Sequence, residues 1–298
     1  MKNTTTPVKI TQKIKYNFIC KGQEGQDGAI FGDFLFRFKP NGTCFVYSVE
    51  KMQEISTFKL DKSDILAPHS NVVCFGNEYF DPSDEFPVLY SNIYNNYSDN
   101  TDRLEGMCCV YRIVRDGESF SSTLIQTIRI GFVEDLDVWK SLPDNKDYRP
   151  YGNFVVDVEN SKLFAFVLRD KEHITRFFEF SLPIISDGEY CEKYGVKNVT
   201  LNLSDIKAQF DLSRSYYIQG ACCYDNKIFS VEGGTASETN TVAVPRMKII
   251  DTVTHTETVV ELCELGLKIE PELIDFAGDT IYYMDAAGDV YTFEFIAE

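Results

Sequence analysis

Positive charge is scarce in this chain. Lys and Arg number 29 against 46 Asp and Glu, a formal net charge of −17 over 298 residues. Nothing gathers the basic residues into a stripe that could follow a phosphate backbone, which excludes nucleic acid as a partner. The same balance argues against an anionic membrane surface. Long apolar runs are missing too, since none approaches the about 18 residues a spanning helix requires. His69, His173 and His255 lie in separate segments without ligand spacing. A zinc site therefore has no support, and no cofactor is expected. There is no Gly-x-Ser-x-Gly elbow, no phosphate-cradling glycine loop and no Cys-x-x-Cys pair. Met1 to Pro7 is polar, with no basic start leading into an apolar segment. A cytoplasmic location is the expectation.

Strand-forming residues dominate what remains. The hydrophobic fraction is 44% and the aromatic fraction 14%, with 23 Phe and 17 Tyr, a composition that suits pleated surfaces. The nine cysteines include the adjacent pairs Cys108-Cys109 and Cys222-Cys223, whose members point to opposite faces of a strand. Most read as small core hydrophobes in a reducing compartment rather than as a disulfide framework. Five Asn-x-Ser/Thr triplets, opened by Asn3, Asn41, Asn96, Asn198 and Asn202, carry no meaning in such a compartment.

Tyr217 to Gly234 gives the pattern its clearest form. Two short apolar runs flank Asp225-Asn226, and Asx residues tolerate the positive φ of a two-residue hairpin. The same phrase recurs in Gly28 to Phe38 around Gly32-Asp33, in Asn71 to Phe80 around Gly76-Asn77, in Asn153 to Leu168 around Glu159-Asn160, and in Glu272 to Met284 around Gly278-Asp279. Each unit has room for about four strands, the size of a propeller blade. Unit two adds strands at 87–93, 107–114 and 123–130. Unit three takes its fourth strand from Val199 to Leu203, with Ser204 to Phe210 as a helical turn capped by Ser204. The last unit ends one strand short, and 9–19 supplies the missing outer strand.

The expectation is a single all-β domain over residues 1–298: a β-propeller of five four-stranded blades closed by the N-terminal strand. A six-bladed count requires the Trp139 segment to form a degenerate blade.

In such a ring the residues leading into the five inner strands surround one mouth of the channel. Here they are Gln26 and Asp27, His69 and Asn71, Arg149, Tyr151 and Asn153, Gln219, and Glu270 and Glu272. All can hydrogen-bond. They either satisfy one another and trapped water or hold a small polar molecule or a peptide end. Glu232, near the end of its strand, is a catalytic candidate if it faces the mouth and pairs with Glu270 or Glu272, because close carboxylates separate into an acid and a base. Arg246 is a competing partner for it. A third possibility is a scaffold that offers the rim loop Tyr94 to Glu105 to a partner protein.

Gln219-Gly220, the short strand after it, Asp225-Asn226 and Glu232-Gly233 together resemble a blade of the five-bladed glutaminyl cyclotransferases of plants and bacteria. That resemblance implies an active-site carboxylate at Glu232. The phrase lies in the fourth blade here rather than near the start of the chain, and the aromatic and Asn partners of those enzymes have no match.

Overall fold

The structure, a computed structural model, describes residues 8–14, 25–51, 53–66, 68–93, 106–131, 152–169 and 172–295. Arg149, Tyr151, the Trp139 segment, the loop 94–105 and residues 15–19 lie outside that set.

Five antiparallel blades succeed one another around an axis. Blade 1 is β2 (Gly28–Phe31), β3 (Phe34–Phe38), β4 (Thr43–Ser48) and β5 (Gln53–Lys59), and blade 2 is β6 (Val73–Phe75), β7 (Leu89–Asn92), β8 (Met107–Asp116) and β9 (Ser119–Ile130). Blade 3 is β10 (Asn153–Asp157), β11 (Lys162–Arg169), β12 (Ile174–Ser181) and β15 (Ala208–Ser213). Blade 4 is β16 (Ile218–Tyr224), β17 (Lys227–Glu232), β18 (Arg246–Asp251) and β19 (Thr256–Glu261). Blade 5 is β20 (Pro271–Ala277), β21 (Thr280–Asp285) and β22 (Val290–Phe295), with β1 (Val8–Ile14) as its outer strand. β1 runs antiparallel to β22, Val8 opposite Phe295 and Ile14 opposite Val290. The expected closure is thus present, and it leaves no seam in the ring.

The turns follow the expected chemistry in part. Asp225 and Asn226 both have positive φ (48° and 58°), as a type I′ hairpin demands. Gly32 and Gly278 take the same conformation in theirs. In the third unit the left-handed residue is Ser161 (φ 51°), while the Asn160 backbone N–H and side-chain Nδ2 donate to the Asp157 carboxylate at 3.1 and 2.8 Å. Gly76-Asn77 closes no tight hairpin. It opens a longer excursion that returns at β7, and Asn77 Nδ2 reaches across to Val158 O and Ser161 Oγ of blade 3.

The fourth strand of blade 3 is also not where the sequence suggested. The segment expected to supply it is β14 (Val196–Leu201), which crosses to blade 2 and pairs parallel with β9, Val199 opposite Ile128. With β13 (Glu189–Cys191) it extends blade 2 to six strands. Val199 and Leu201 are drawn there by the apolar wedge between blades 2 and 3. In place of the helical turn expected over Ser204 to Phe210 there is a 3-10 turn at Leu203–Asp205. The chain then enters β15, which fills the vacancy beside β12.

Each blade interface carries its own apolar wedge. In β3, Phe34, Phe36 and Phe38 face blade 2, where Phe36 meets Phe75, Phe86 and Phe120 edge-on at 5.3, 5.4 and 5.7 Å between centroids. Edge-to-face geometry adds to the burial energy. Leu35 points the other way, into the wedge with Leu273 and Met284 of blade 5. Strand parity therefore sends Arg37 towards blade 5 as well.

Candidate functional site

The five inner strands β2, β6, β10, β16 and β20 touch their neighbours around the axis, so residues at their starts share one end of the channel. Two of these starts are irregular. In blade 4 the pairing passes from Ile218–Glu232 to Gly220–Val231, and in blade 5 from Pro271–Asp285 to Leu273–Met284. Gln219 and Glu272 are the extra residues of two matching bulges, a device that re-aims a side chain out of the ladder.

Between blades 4, 5 and 1 the bulges assemble a charged cluster. Gln219 Nε2 donates to Glu270 Oε1. Burial pushes the Glu270 carboxyl up, an effect the Gln219 hydrogen bond opposes. Glu272 is 5% exposed, and its Oε2 accepts no hydrogen bond among the described residues. Burial first, then the nearby Glu270 and Asp285 carboxylates, push its carboxyl well above the usual range, with Arg37 opposing. Gln26 leads into the inner strand of blade 1, where its backbone N–H donates to Phe38 O at 2.7 Å. Its Nε2 donates to Gly25 O at 3.1 Å, while its Oε1 is buried without a donor.

The opposite side of the mouth is closed on itself. Asn92 Nδ2 donates to Asn71 Oδ1 at 2.5 Å, Gly152 O at 2.6 Å and Asn153 Oδ1 at 3.2 Å, while Asn71 Nδ2 donates to Ile218 O at 2.9 Å. His69 lies next to this network, half-buried, and burial lowers its imidazole to about 4. It is a neutral group at neutral pH.

Asp27 sits on the axis below the mouth, fully buried. Its Oδ2 accepts from Val73 N at 2.9 Å in blade 2 and from Ala221 N at 3.4 Å in blade 4. Gly220 makes room for it: a Cβ there would come within 2.8 Å of Asp27 Oδ1. Asp275, in β20, accepts from Ile30 N at 2.6 Å and Phe276 N at 2.8 Å. Burial raises the Asp27 carboxyl strongly and the Asp275 carboxyl to about 7. These two carboxylates tie inner strands of different blades together.

Glu232 does not face the mouth. It shares the face of Ile228 and Ser230, turned to the wedge between blades 3 and 4, and is wholly buried. Among the described residues neither of its oxygens has a hydrogen-bond donor in good geometry. Burial raises its pKa, opposed first by Lys248 and then by Ser215 and Arg246. Arg246, the expected competitor, makes its own ion pair with Glu261 at 2.9 Å. The expected pairing with Glu270 or Glu272 fails on strand parity, because those two gather on the blade 5 side that faces Arg37.

Sequence reasoning missed Arg37, Asn92 and Asp285, all buried polar residues on second strands. The signal was a polar residue at or next to the end of a second strand, as Asn92 in Leu89-Tyr90-Ser91-Asn92 and Arg37 in Phe34-Leu35-Phe36-Arg37-Phe38. Cys44, Cys74, Cys108, Cys109 and Cys222 are buried thiols as expected, whereas Cys223, Cys191 and Cys263 are only partly buried; burial raises Cys74 to about 12. Among the described residues no His, Cys, Asp and Glu group has the arrangement of a metal site, and no helix is long and apolar enough to cross a membrane.

No family model and no curated protein matches this chain. Solved structures do. The glutaminyl cyclase of Myxococcus xanthus superimposes over 98% of this chain and 97% of its own, with a TM-score of 0.52 and 11% identity. The likeness is one of fold. Saccharomyces cerevisiae Sqt1 matches at a TM-score of 0.39 and 9% identity over 89% of this chain and 56% of that one. The β-propeller domain of Myceliophteria thermophila Cps50 (Swd1) matches at 0.39 and 8% over 97% and 100%.

Proposed function

We propose that this protein binds a small polar molecule or a peptide end at the mouth of its channel, on the side formed by blades 4, 5 and 1, and does not turn it over. One observation carries the reading: Glu272, aimed by a bulge and almost fully buried, keeps a carboxyl oxygen without a hydrogen-bond partner among the described residues. A buried polar group left unpaired costs about 1–3 kcal/mol, a penalty that a hydrogen-bonding ligand removes. Gln26 Oε1 supports it from the facing blade. Gln219 and Glu270 supply the rim of the site, and His69, Asn71 and Asn153 its far wall.

The reading is tested by thermal unfolding of the full chain against a panel of small polar metabolites and short peptides. A compound that raises Tm in proportion to its occupancy is expected to lose that effect in Gln219→Ala and to be recovered unchanged. A Tm rise that survives Gln219→Ala, Glu272→Gln and His69→Ala places the ligand elsewhere. Conversion of a glutaminyl peptide that disappears in Glu232→Gln, with the fold intact, replaces the binder by an enzyme of the cyclotransferase kind. Failure of every compound, together with capture of a protein partner through the rim, favours the scaffold.

A further inference from the structure

We infer that the end of the channel opposite the mouth carries a docking surface on blades 2 and 3, shaped for a partner protein that presents a basic segment with an apolar anchor. It uses none of the residues of the binding reading above.

Residues 76–88 join β6 to β7 at that end, and residues 182–188 leave β12 there. Hydrogen bonds draw the two loops together over the wedge between blades 2 and 3. Ile185 N donates to Glu78 Oε2 at 2.8 Å, while Ser161 accepts from Leu182 N at its carbonyl and from Asn77 Nδ2 at its hydroxyl. Asn77 Nδ2 also reaches Val158 O. Tyr79, Phe80, Val158 and Ile184 surface around these contacts. Strand alternation adds Val114: Cys108 and Val110 enter this wedge, so Arg112 and Val114 lie on the same face of β8. The five apolar side chains are between 36% and 51% exposed.

Phe80 and Ile184 are held in place although neither packs into a buried cluster. The Arg112 guanidinium lies 5.0 Å from the centre of the Phe80 ring. Arg112 is itself fixed by Asp84, Nε to Oδ2 at 2.9 Å and Nη2 to Oδ1 at 2.6 Å. Asp81 N donates to Asp84 Oδ2 at 3.0 Å and braces the loop. Ile184 N donates to Asp187 Oδ2 at 3.1 Å, and its carbonyl accepts from Gln126 Nε2 at 2.8 Å. An exposed apolar patch with a polar rim marks an interaction site, and braced loops lose little freedom when a partner binds.

Charge selects the occupant. Arg112 neutralises Asp84, Arg115 neutralises Glu85 and Lys162 neutralises Glu179. Lys197 turns its ammonium to Ser186 O. Glu78, Asp81, Glu159 and Asp187 form no ion pair among the described residues, so the rim keeps an acidic excess. A second copy would set this rim against its own. An anionic membrane or a nucleic acid is repelled for the same reason. A basic segment complements it.

Fluorescence anisotropy with the full chain tests this, using labelled peptides of about 12 residues, which span about 40 Å when extended. One alternates Lys with Leu and Phe, its twin carries Glu for each Lys, and a third carries Ser for each Leu and Phe. Saturable binding of the first alone is expected below about 1 mM, weaker in high salt. It should weaken about tenfold in Phe80→Ala and in Ile184→Ala, the loss of one anchor. Val253→Ala, at an exposed residue of the β18–β19 turn in blade 4, should leave it unchanged. Equal binding of either control peptide, binding that persists in both anchor variants, or silence overturns the inference. Binding lost in Gln219→Ala places the peptide at the mouth and overturns it too. Self-association seen by analytical ultracentrifugation and lost in Phe80→Ala replaces the basic partner by a second copy.

Discussion

Gln219 and Glu272 occupy the same place in neighbouring blades, each the unpaired residue of a bulge at the start of an inner strand. The two bulges turn side chains that would otherwise lie in the ladder towards Glu270, which hydrogen-bonds one and repels the other. A pair of local backbone irregularities thereby makes one half of the mouth chemically open, while the Asn71–Asn92–Asn153 half is satisfied.

The open half should titrate. Glu272 has a raised pKa, so it is protonated over a wider range than a free carboxylate. A ligand that donates to the Glu272 carboxylate should therefore bind more weakly as pH falls through that raised value. Glu270, Asp285 and Arg37 face Glu272 and shape the profile; His69, neutral down to about 4, contributes no step between pH 5 and 8. Titrations carried from acid to alkaline pH should show this trend in the wild type, above the ordinary Glu range, and lose most of it in Glu272→Gln.

Asp275 should give stability a pH dependence of definite sign. Its folded pKa of about 7 exceeds the 3.8 of an ordinary Asp, so the native state holds the proton longer than the unfolded chain. The favourable contribution is complete below the unfolded pKa and is lost as pH rises to about 7. Urea unfolding should show Asp275→Asn comparing better with the wild type at pH 8 than at pH 5. An equal difference at both pH values contradicts this.

The wedge between blades 1 and 2 is held by Phe36. Phe36→Ala should destabilise by about 3–5 kcal/mol, the range for a fully buried Phe, and denaturant titration measures it. Phe80→Ala, at a half-exposed ring stacked on Arg112, should cost no more than about 1 kcal/mol.

Removing residues 1–14 takes β1 from blade 5 and leaves β22 as a bare edge. Tm should drop by roughly 5 °C or more, and the truncated chain should associate through the exposed strand. Scanning calorimetry with light scattering reads both effects.

The repeat was legible because Asp225-Asn226, Gly32 and Gly278 punctuate apolar runs with residues that accept positive φ. Closure by β1 followed from counting strands against blades. The destination of β14 was not legible: Val199 and Leu201 fit either blade 2 or blade 3, and only the filling of one wedge decides. Gln219, Glu270 and Glu272 were singled out because they lead into inner strands, and the structure brings Gln219 and Glu270 into hydrogen-bond contact. Glu232 was misplaced because a polar residue at a strand end reads the same whether it faces water or a buried wedge. Strand parity, applied to Leu35-Arg37 or to Ile228-Ser230-Glu232, would have assigned those faces had the wedges been known.

The central claim is that the mouth beside Glu272 is a ligand site. A crystal structure of the full chain soaked with a pool of small polar metabolites, short peptides and amines tests it most directly. The account predicts ligand density with a donor within hydrogen-bond distance of Glu272 Oε2 and contacts to Gln26 and Gln219. A mouth filled by ordered water that satisfies Glu272 and Gln26, with ligand absent or bound elsewhere, would contradict it.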